Sequence, residues 1–153
     1  MQKISKNIKE TTELAKIFYQ KILKESIKNK GATVIGLSGD LGAGKTTFTQ
    51  MVAKHLGIKN KISSPTFVII KKYPLKKMKN YKFMFHLDAY RLKNEKELLH
   101  LGWEEIINKK EHLVFIEWPE NVSEVIPTEA KFVYISHTKN GHRNFKIDRT
   151  KMI

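Results

Sequence analysis

Apolar residues recur near the start of the chain at Ile8, Leu14, Ala15, Ile17, Phe18, Ile22, Leu23 and Ile27. That spacing puts them on one face of a helix over residues 6–29, and Gly31 follows as a stop signal. Thr33 to Leu37 is a short, mostly apolar run that reads as a buried strand, ending in a glycine-rich turn from Gly39 to Gly44. The helical period returns from Lys45 to Leu56, and Gly57 closes it. Residues 62–73 alternate loosely around the Pro65 turn and predict a strand, whereas Pro74 to Lys82 is polar and basic, a hairpin loop or exposed edge. Phe83 to Asp88 predicts another strand, and residues 94–108 one or two short helices around Gly102. Leu113 to Glu117 predicts a buried strand ending in a carboxylate. Two last strands, about 131–137 and 143–149, flank an Asn140-Gly141 turn, which signals a hairpin.

Strands alternating with helices and ending in a hairpin predict an α/β fold. The expected sheet is mixed, with a parallel core, antiparallel edge strands and helices covering it in three layers. The length, 153 residues, suits one domain over 1–153, and a chain of this size buries roughly two-thirds of its unfolded surface. There are no cysteines, so disulfides, thiolate metal sites and cysteine nucleophiles are excluded together. The N-terminal stretch has lysines but no apolar core of a secretory signal, and no uncharged apolar run approaches membrane-spanning length. These features predict a soluble, cytoplasmic protein with no membrane partner.

Charge changes this picture less than its size suggests. The 29 Lys and Arg against 15 Asp and Glu leave a net charge of +14, which raises a nucleic-acid partner as one reading. Only Arg91, Arg143 and Arg149 are arginine, the better reader of bases and phosphates. The remainder is lysine in a chain also rich in Ile and Asn, as A/T-rich codons would give on a solvated surface.

The chemistry sits after the first predicted strand. Gly39-Asp40-Leu41-Gly42-Ala43-Gly44-Lys45-Thr46 matches G-x-x-x-x-G-K-[ST] in full, between a predicted strand and a predicted helix. Glycines let successive main-chain N–H groups turn inward around phosphate oxygens, and the helix that follows offers its positive end to the same anion. Lys45 would reach the β- and γ-phosphates and Thr46 would give its hydroxyl to Mg²⁺. Asp88 and Glu117 each end an apolar strand, where ligands bind in open α/β sheets, and are the candidate metal-orienting carboxylates. Asn108-Lys109-Lys110-Glu111 only approximates a guanine-reading signature and precedes its strand, so ATP is favoured over GTP. A small-molecule kinase is disfavoured because three unpaired arginines and no spare segment leave no lid. An RNA-binding ATPase and that kinase stay as alternatives.

The P-loop, Ser64-Pro65-Thr66-Phe67, His86-Leu87-Asp88-Ala89-Tyr90-Arg91 and Ile116-Glu117-Trp118-Pro119 follow one another at short spacing. In this order they resemble the TsaE (YjeE) family of bacterial P-loop ATPases, from about Thr11 to Arg143. The resemblance implies a role in forming threonylcarbamoyladenosine beside the anticodon of tRNA, with TsaD and TsaB as partners, tRNA met only through them, and no DNA. It implies ATP and Mg²⁺ as ligands, Thr66 as a switch threonine near the γ-phosphate, and Asp88 as a Walker-B-like acid. Glu117 would stand at Mg²⁺ or the attacking water, with Trp118 beside the nucleotide or in plain packing. Thr11 would approach adenine or simply cap a helix. Arg143 would approach the phosphates or serve only the hairpin. Asp40, Leu41, Gly42, Ala43, Gly44 and Thr47 complete the implied ATP contacts.

Overall fold

The structure is a computed structural model, and it describes residues 1–59, 62 and 70–148. In chain order its elements are β1 (Gln2–Ser5), α1 (Ile8–Glu25), β2 (Thr33–Ser38), α2 (Lys45–His55), β3 (Ile70–Pro74) and β4 (Phe83–Asp88). They continue with α3 (Glu95–His100), α4 (Trp103–Ile107), β5 (His112–Glu117), β6 (Lys131–His137) and β7 (Arg143–Asp148). Short 3₁₀ turns occupy Ser26–Lys28 and Pro119–Val125.

The seven strands form one sheet in the order β1-β7-β6-β2-β5-β4-β3. Strands β6, β2, β5 and β4 run parallel, and β1, β7 and β3 pair antiparallel at the two edges. This is the mixed sheet with parallel core and antiparallel edges that the pattern predicts. Successive residues of each central strand face opposite sides, and both sides are apolar because helices cover both. Ile35, Leu37, Leu113 and Phe115 pack with Ala15, Phe18 and Ile22 of α1 and Phe48 and Val52 of α2. Their neighbours Val34, Val114 and Ile116 pack on the other side with Leu98 of α3, Trp103 and Ile106 of α4, and Val122.

Local chemistry sets the element ends. Asn7 caps α1, its side chain accepting from the Glu10 amide at 2.9 Å, while the Glu10 carboxylate accepts from the Lys6 amide at 2.7 Å. The predicted helix 6–29 is therefore shorter, starting after the cap at Ile8 and tightening into a 3₁₀ turn after Glu25. Strand β1 has no counterpart in the sequence reading. Its four residues show no alternation, and it is a strand because Gln2 to Ser5 pair with Lys146 to Arg143, more than a hundred residues away. Much of the predicted strand 62–73 lies outside the described residues; within them β3 begins at Ile70 and its register carries it to Pro74. No described helix is long and apolar enough to cross a membrane.

Phe48 ties this core to the glycine-rich turn. It stands one turn into α2, 5.2 Å edge-on from Phe18 and 5.7 Å from Phe145. Phe48→Ala is expected to cost about 3–5 kcal/mol of unfolding free energy, read by urea denaturation.

Candidate nucleotide site

The turn between β2 and α2 is a cradle because its glycines stand where other residues would be strained. Gly39 has φ 150°, and a Cβ there would collide with the Ile135 carbonyl. Gly44 has φ 113°, and a Cβ would lie 3.3 Å from the Arg143 guanidinium. The loop then enters α2 directly, so the unsatisfied N–H groups of the first helical turn face the same space. The Asp40 carbonyl accepts from the Ala43 amide at 3.0 Å, closing the turn.

Lys45 is buried at the start of α2. Its ammonium donates to the Gly39 carbonyl at 2.6 Å and the Asp40 carbonyl at 2.9 Å, and sits 4.3 Å from the centre of the Trp118 ring. An ammonium has three donors, so two hold the loop and one is left for a phosphate oxygen. Burial lowers its pKa from the ordinary lysine value, opposed by the negative charges of Glu117, Glu120, Asp88 and Asp40.

Strand register supplies the carboxylates. Asp88 and Glu117 are paired neighbours at the carboxyl ends of β4 and β5, so adjacent parallel strands deliver both to one point. The Thr46 hydroxyl donates to Glu117 Oε1 at 2.8 Å, joining α2 to β5. Asp88 Oδ1 accepts from the Tyr90 amide at 2.9 Å, a turn that holds the carboxyl at the strand's end. Glu117 is 3% exposed. Burial pushes its pKa from the ordinary 4.5 up to about 7; the Thr46 hydrogen bond and Lys45 act against the shift, while Asp88 adds to it.

Behind Glu117 lies His86 of β4, wholly buried, with Nε2 3.8 Å from Glu117 Oε2. Burial, aided by the charge of Lys71, depresses the imidazole to about 4, so the ring is neutral at pH 7 and this contact is no ion pair. Neither ring nitrogen has a hydrogen-bond partner among the described residues.

Trp118 follows Glu117 with φ 58° and ψ 49°, the left-handed region that a bulky side chain seldom adopts, and Pro119 comes next. That turn lays the indole over Lys45 and 5.1 Å from the Tyr90 ring. The result is a cleft of about 300 Å³ whose walls include Leu41, Gly42, Gly44, Lys45, Thr46, Thr47, Asp88, Glu117, Trp118 and Arg143.

Ten residues selected from the sequence thus line one cleft. Asp40 and Ala43 build the loop without lining it, Asp40 through its main chain and Ala43 as a buried methyl. Thr11 does not reach the cleft. It is buried at the β1–α1 junction, with its hydroxyl 2.7 Å from Ser5 Oγ and 3.2 Å from the Asn7 carbonyl. Thr66 lies outside the described residues. Tyr90 and Arg91 also line the cleft, and His137 Nε2 lies 3.3 Å from the Gly42 carbonyl. The H-x-D-x-Y-R stretch contained the first two and His86, but spacing alone gave them no task.

The family model for the threonylcarbamoyl adenosine biosynthesis protein TsaE matches residues 5–146. The chain belongs to the TsaE family. The tRNA threonylcarbamoyladenosine biosynthesis protein TsaE of Rickettsia typhi is 39% identical over 146 residues, covering 95% of this chain and 92% of that one. The TsaE protein of Bacillus subtilis is 35% identical over 114 residues, covering 74% and 68%. Among solved structures, YdiB of Bacillus subtilis superposes with a TM-score of 0.71 at 28% identity, covering 96% of this chain and 83% of that one. Membership of TsaE places the chain in tRNA threonylcarbamoyladenosine biosynthesis, with a P-loop NTPase-like fold suited to a nucleotide-binding or ATPase-type protein.

The buried carboxyl has a measurable signature. A folded-state pKa above the unfolded one means the native protein binds that proton more tightly, so stability falls as pH rises between about 4.5 and 7. In chelator, Glu117→Gln is expected to be more stable than the parent by about 1–3 kcal/mol near pH 8 and nearly equal to it near pH 5, read by urea denaturation.

Proposed function

We propose that this TsaE-family chain is a Mg²⁺-dependent ATPase of one domain over residues 1–153. It binds the TsaD–TsaB complex in the cytoplasm and supports its turnover in forming threonylcarbamoyladenosine next to the anticodon of tRNA. The observation that carries the reading is the Thr46–Glu117 hydrogen bond at the mouth of the glycine turn, with Asp88 beside it. A hydroxyl and two carboxylates are hard oxygen donors that suit Mg²⁺, and a main-chain cradle with a lysine suits the triphosphate it accompanies. Thr46, Asp88 and Glu117 would hold the metal. When bound, Mg²⁺ supplies neutralisation of the charge that develops on the phosphate oxygens.

The chain's own residues do the rest. The loop amides of residues 40–46 grip the phosphates and fix the line of attack. The third donor of Lys45 holds the γ-phosphate, and its desolvation strengthens that contact. Arg143, lying over Gly44, adds a second positive charge from β7. Trp118 and Tyr90 wall the cleft against water. Glu117 orients the attacking water and accepts its proton, a task that a carboxyl shifted toward neutrality performs better than an exposed one. Asp88 is the second acid, set to the metal. Thr66 takes its part as a switch threonine from the family resemblance alone.

TsaD and TsaB come to this chain through the same resemblance, and tRNA would be met through that complex. A site that gains a positioning group from its partner hydrolyses slowly alone. Phosphate release from ATP is expected to rise when TsaD–TsaB is added, and equal rates would contradict the partner role. Lys45→Ala is expected to lose nucleotide binding or hydrolysis, and Glu117→Ala to weaken binding less than turnover, which falls about 100-fold or more. Undiminished hydrolysis in either variant would overturn its assigned role.

A further inference from the structure

The amino end of the sheet differs in chemistry from the cleft end. Strands β2, β4 and β5 enter at Thr33, Phe83 and His112 and leave at the nucleotide cleft, so the connections into them share the opposite end, about 20 Å away. Main-chain hydrogen bonds tie those three connections together. The Ala32 amide donates to the Ile107 carbonyl at 2.8 Å, and the Lys82 amide to the Glu111 carbonyl at 2.8 Å. Gly31 is required at this junction, because a Cβ there would collide with the Ile107 carbonyl.

The charge gathered there is not that of the whole chain. Residues 26–32 contain two lysines, 75–82 four and 108–111 two, all exposed, against one acid, Glu111. Over the full sequence the ratio of basic to acidic residues is 29 to 15. Biased composition raises lysine everywhere, as on α1, where Lys9, Lys16 and Lys21 alternate with Glu10 and Glu13. It does not by itself set eight lysines against one acid in three separate segments that only the fold brings together. Nearby, Glu25 is engaged by Lys131 at 3.2 Å, and Glu129 stands in the fourth connection, into β6.

The three connections enclose a cleft of about 400 Å³, with Lys79, Asn80 and Lys82 from one, Lys110 from another and Ser26 from the third. Ser26 is 3% exposed and its Oγ has no hydrogen-bond partner among the described residues. Lys82 and Glu111 meet only at 3.9 Å and are well exposed, a weak surface pair that leaves the ammonium available. Ser26, Asn80 and three lysines line this cleft with a single carboxylate, Glu111, and no arginine. Compact ammonium charges suit phosphate oxygens at variable angles, and contacts to phosphate carry no sequence information.

We propose that this lysine-lined end of the sheet binds the sugar-phosphate backbone of RNA directly and without sequence preference. Family membership in a tRNA-modifying process puts such a backbone within reach of the chain. The distance between the two ends lets RNA and nucleotide bind together. This goes beyond the proposed ATPase role, in which tRNA is met only through partner proteins, and it stands or falls separately from that role.

The test uses the full-length chain and a fluorescent tRNA transcript, with anisotropy followed across a salt series. The variant Lys79→Gln, Lys82→Gln, Lys110→Gln is compared with Lys9→Gln, Lys16→Gln, Lys21→Gln, which removes the same charge from α1. The first triple is expected to weaken tRNA binding about tenfold or more and to flatten the log–log salt slope by about 2–3, while the second changes neither by more than about twofold. Melting temperature and ATP hydrolysis are expected to match the parent in both. Equal losses in the two triples would make the binding a property of net charge and overturn the proposal. No tRNA binding by the parent at about 0.15 M salt would overturn it also. Polyglutamate binding that the first triple loses, with tRNA binding unchanged, would assign the face to an acidic protein and overturn it equally.

Discussion

A single hydrogen bond, 2.8 Å from the Thr46 hydroxyl to the Glu117 carboxylate, joins the two halves of the site. One partner is the second residue of the helix that the glycine turn opens; the other is the last residue of a central strand. For the two to meet, β2 and β5 must be adjacent and parallel, and α2 must fold back across the sheet. Phe48 secures that return by packing its helix on Phe18 and Phe145. Burial of Glu117 follows from the same packing. A carboxyl walled by neutral His86, Thr46 and the strand core loses hydration, and its pKa moves toward neutrality before any ligand is considered. Core, register and site chemistry therefore rest on one arrangement.

Much of this was legible in the residues because the chemistry needs particular types at particular spacings. The eight-residue P-loop announced itself, and Asp88 and Glu117 could be chosen because each closes an apolar run that reads as a strand. The parallel core was legible from buried runs such as Val34-Ile35 and Val114-Phe115, whose two faces prove equally apolar because helices cover both. What spacing could not show is pairing across long separations. Strand β1 exists only through its partner β7, and the contact of Thr11 with Ser5 from that strand is equally invisible to spacing. His86 was equally opaque, since a histidine in a strand pattern looks the same whether it faces packing or a carboxylate.

The sheet also has a chemical polarity that no local window displays. Its carboxyl end gathers acids, a lysine and a glycine turn; its amino end gathers eight lysines from three connections. Each connection alone is an ordinary polar loop. Parallel strand order makes them one surface, just as it makes Asp88 and Glu117 one site. The same topology thus sets a small, oxygen-rich cleft at one end and a broad cationic face at the other.

The most direct measurement is the dependence of ATP affinity on magnesium, followed calorimetrically in the parent chain and in Thr46→Val. If the threonine hydroxyl and the two carboxylates hold the metal of a bound triphosphate, Mg²⁺ tightens ATP binding in the parent about tenfold or more, and that gain disappears in the variant. An affinity for ATP that is the same in Mg²⁺ and in chelator, or a magnesium gain that survives loss of the hydroxyl, would contradict the account.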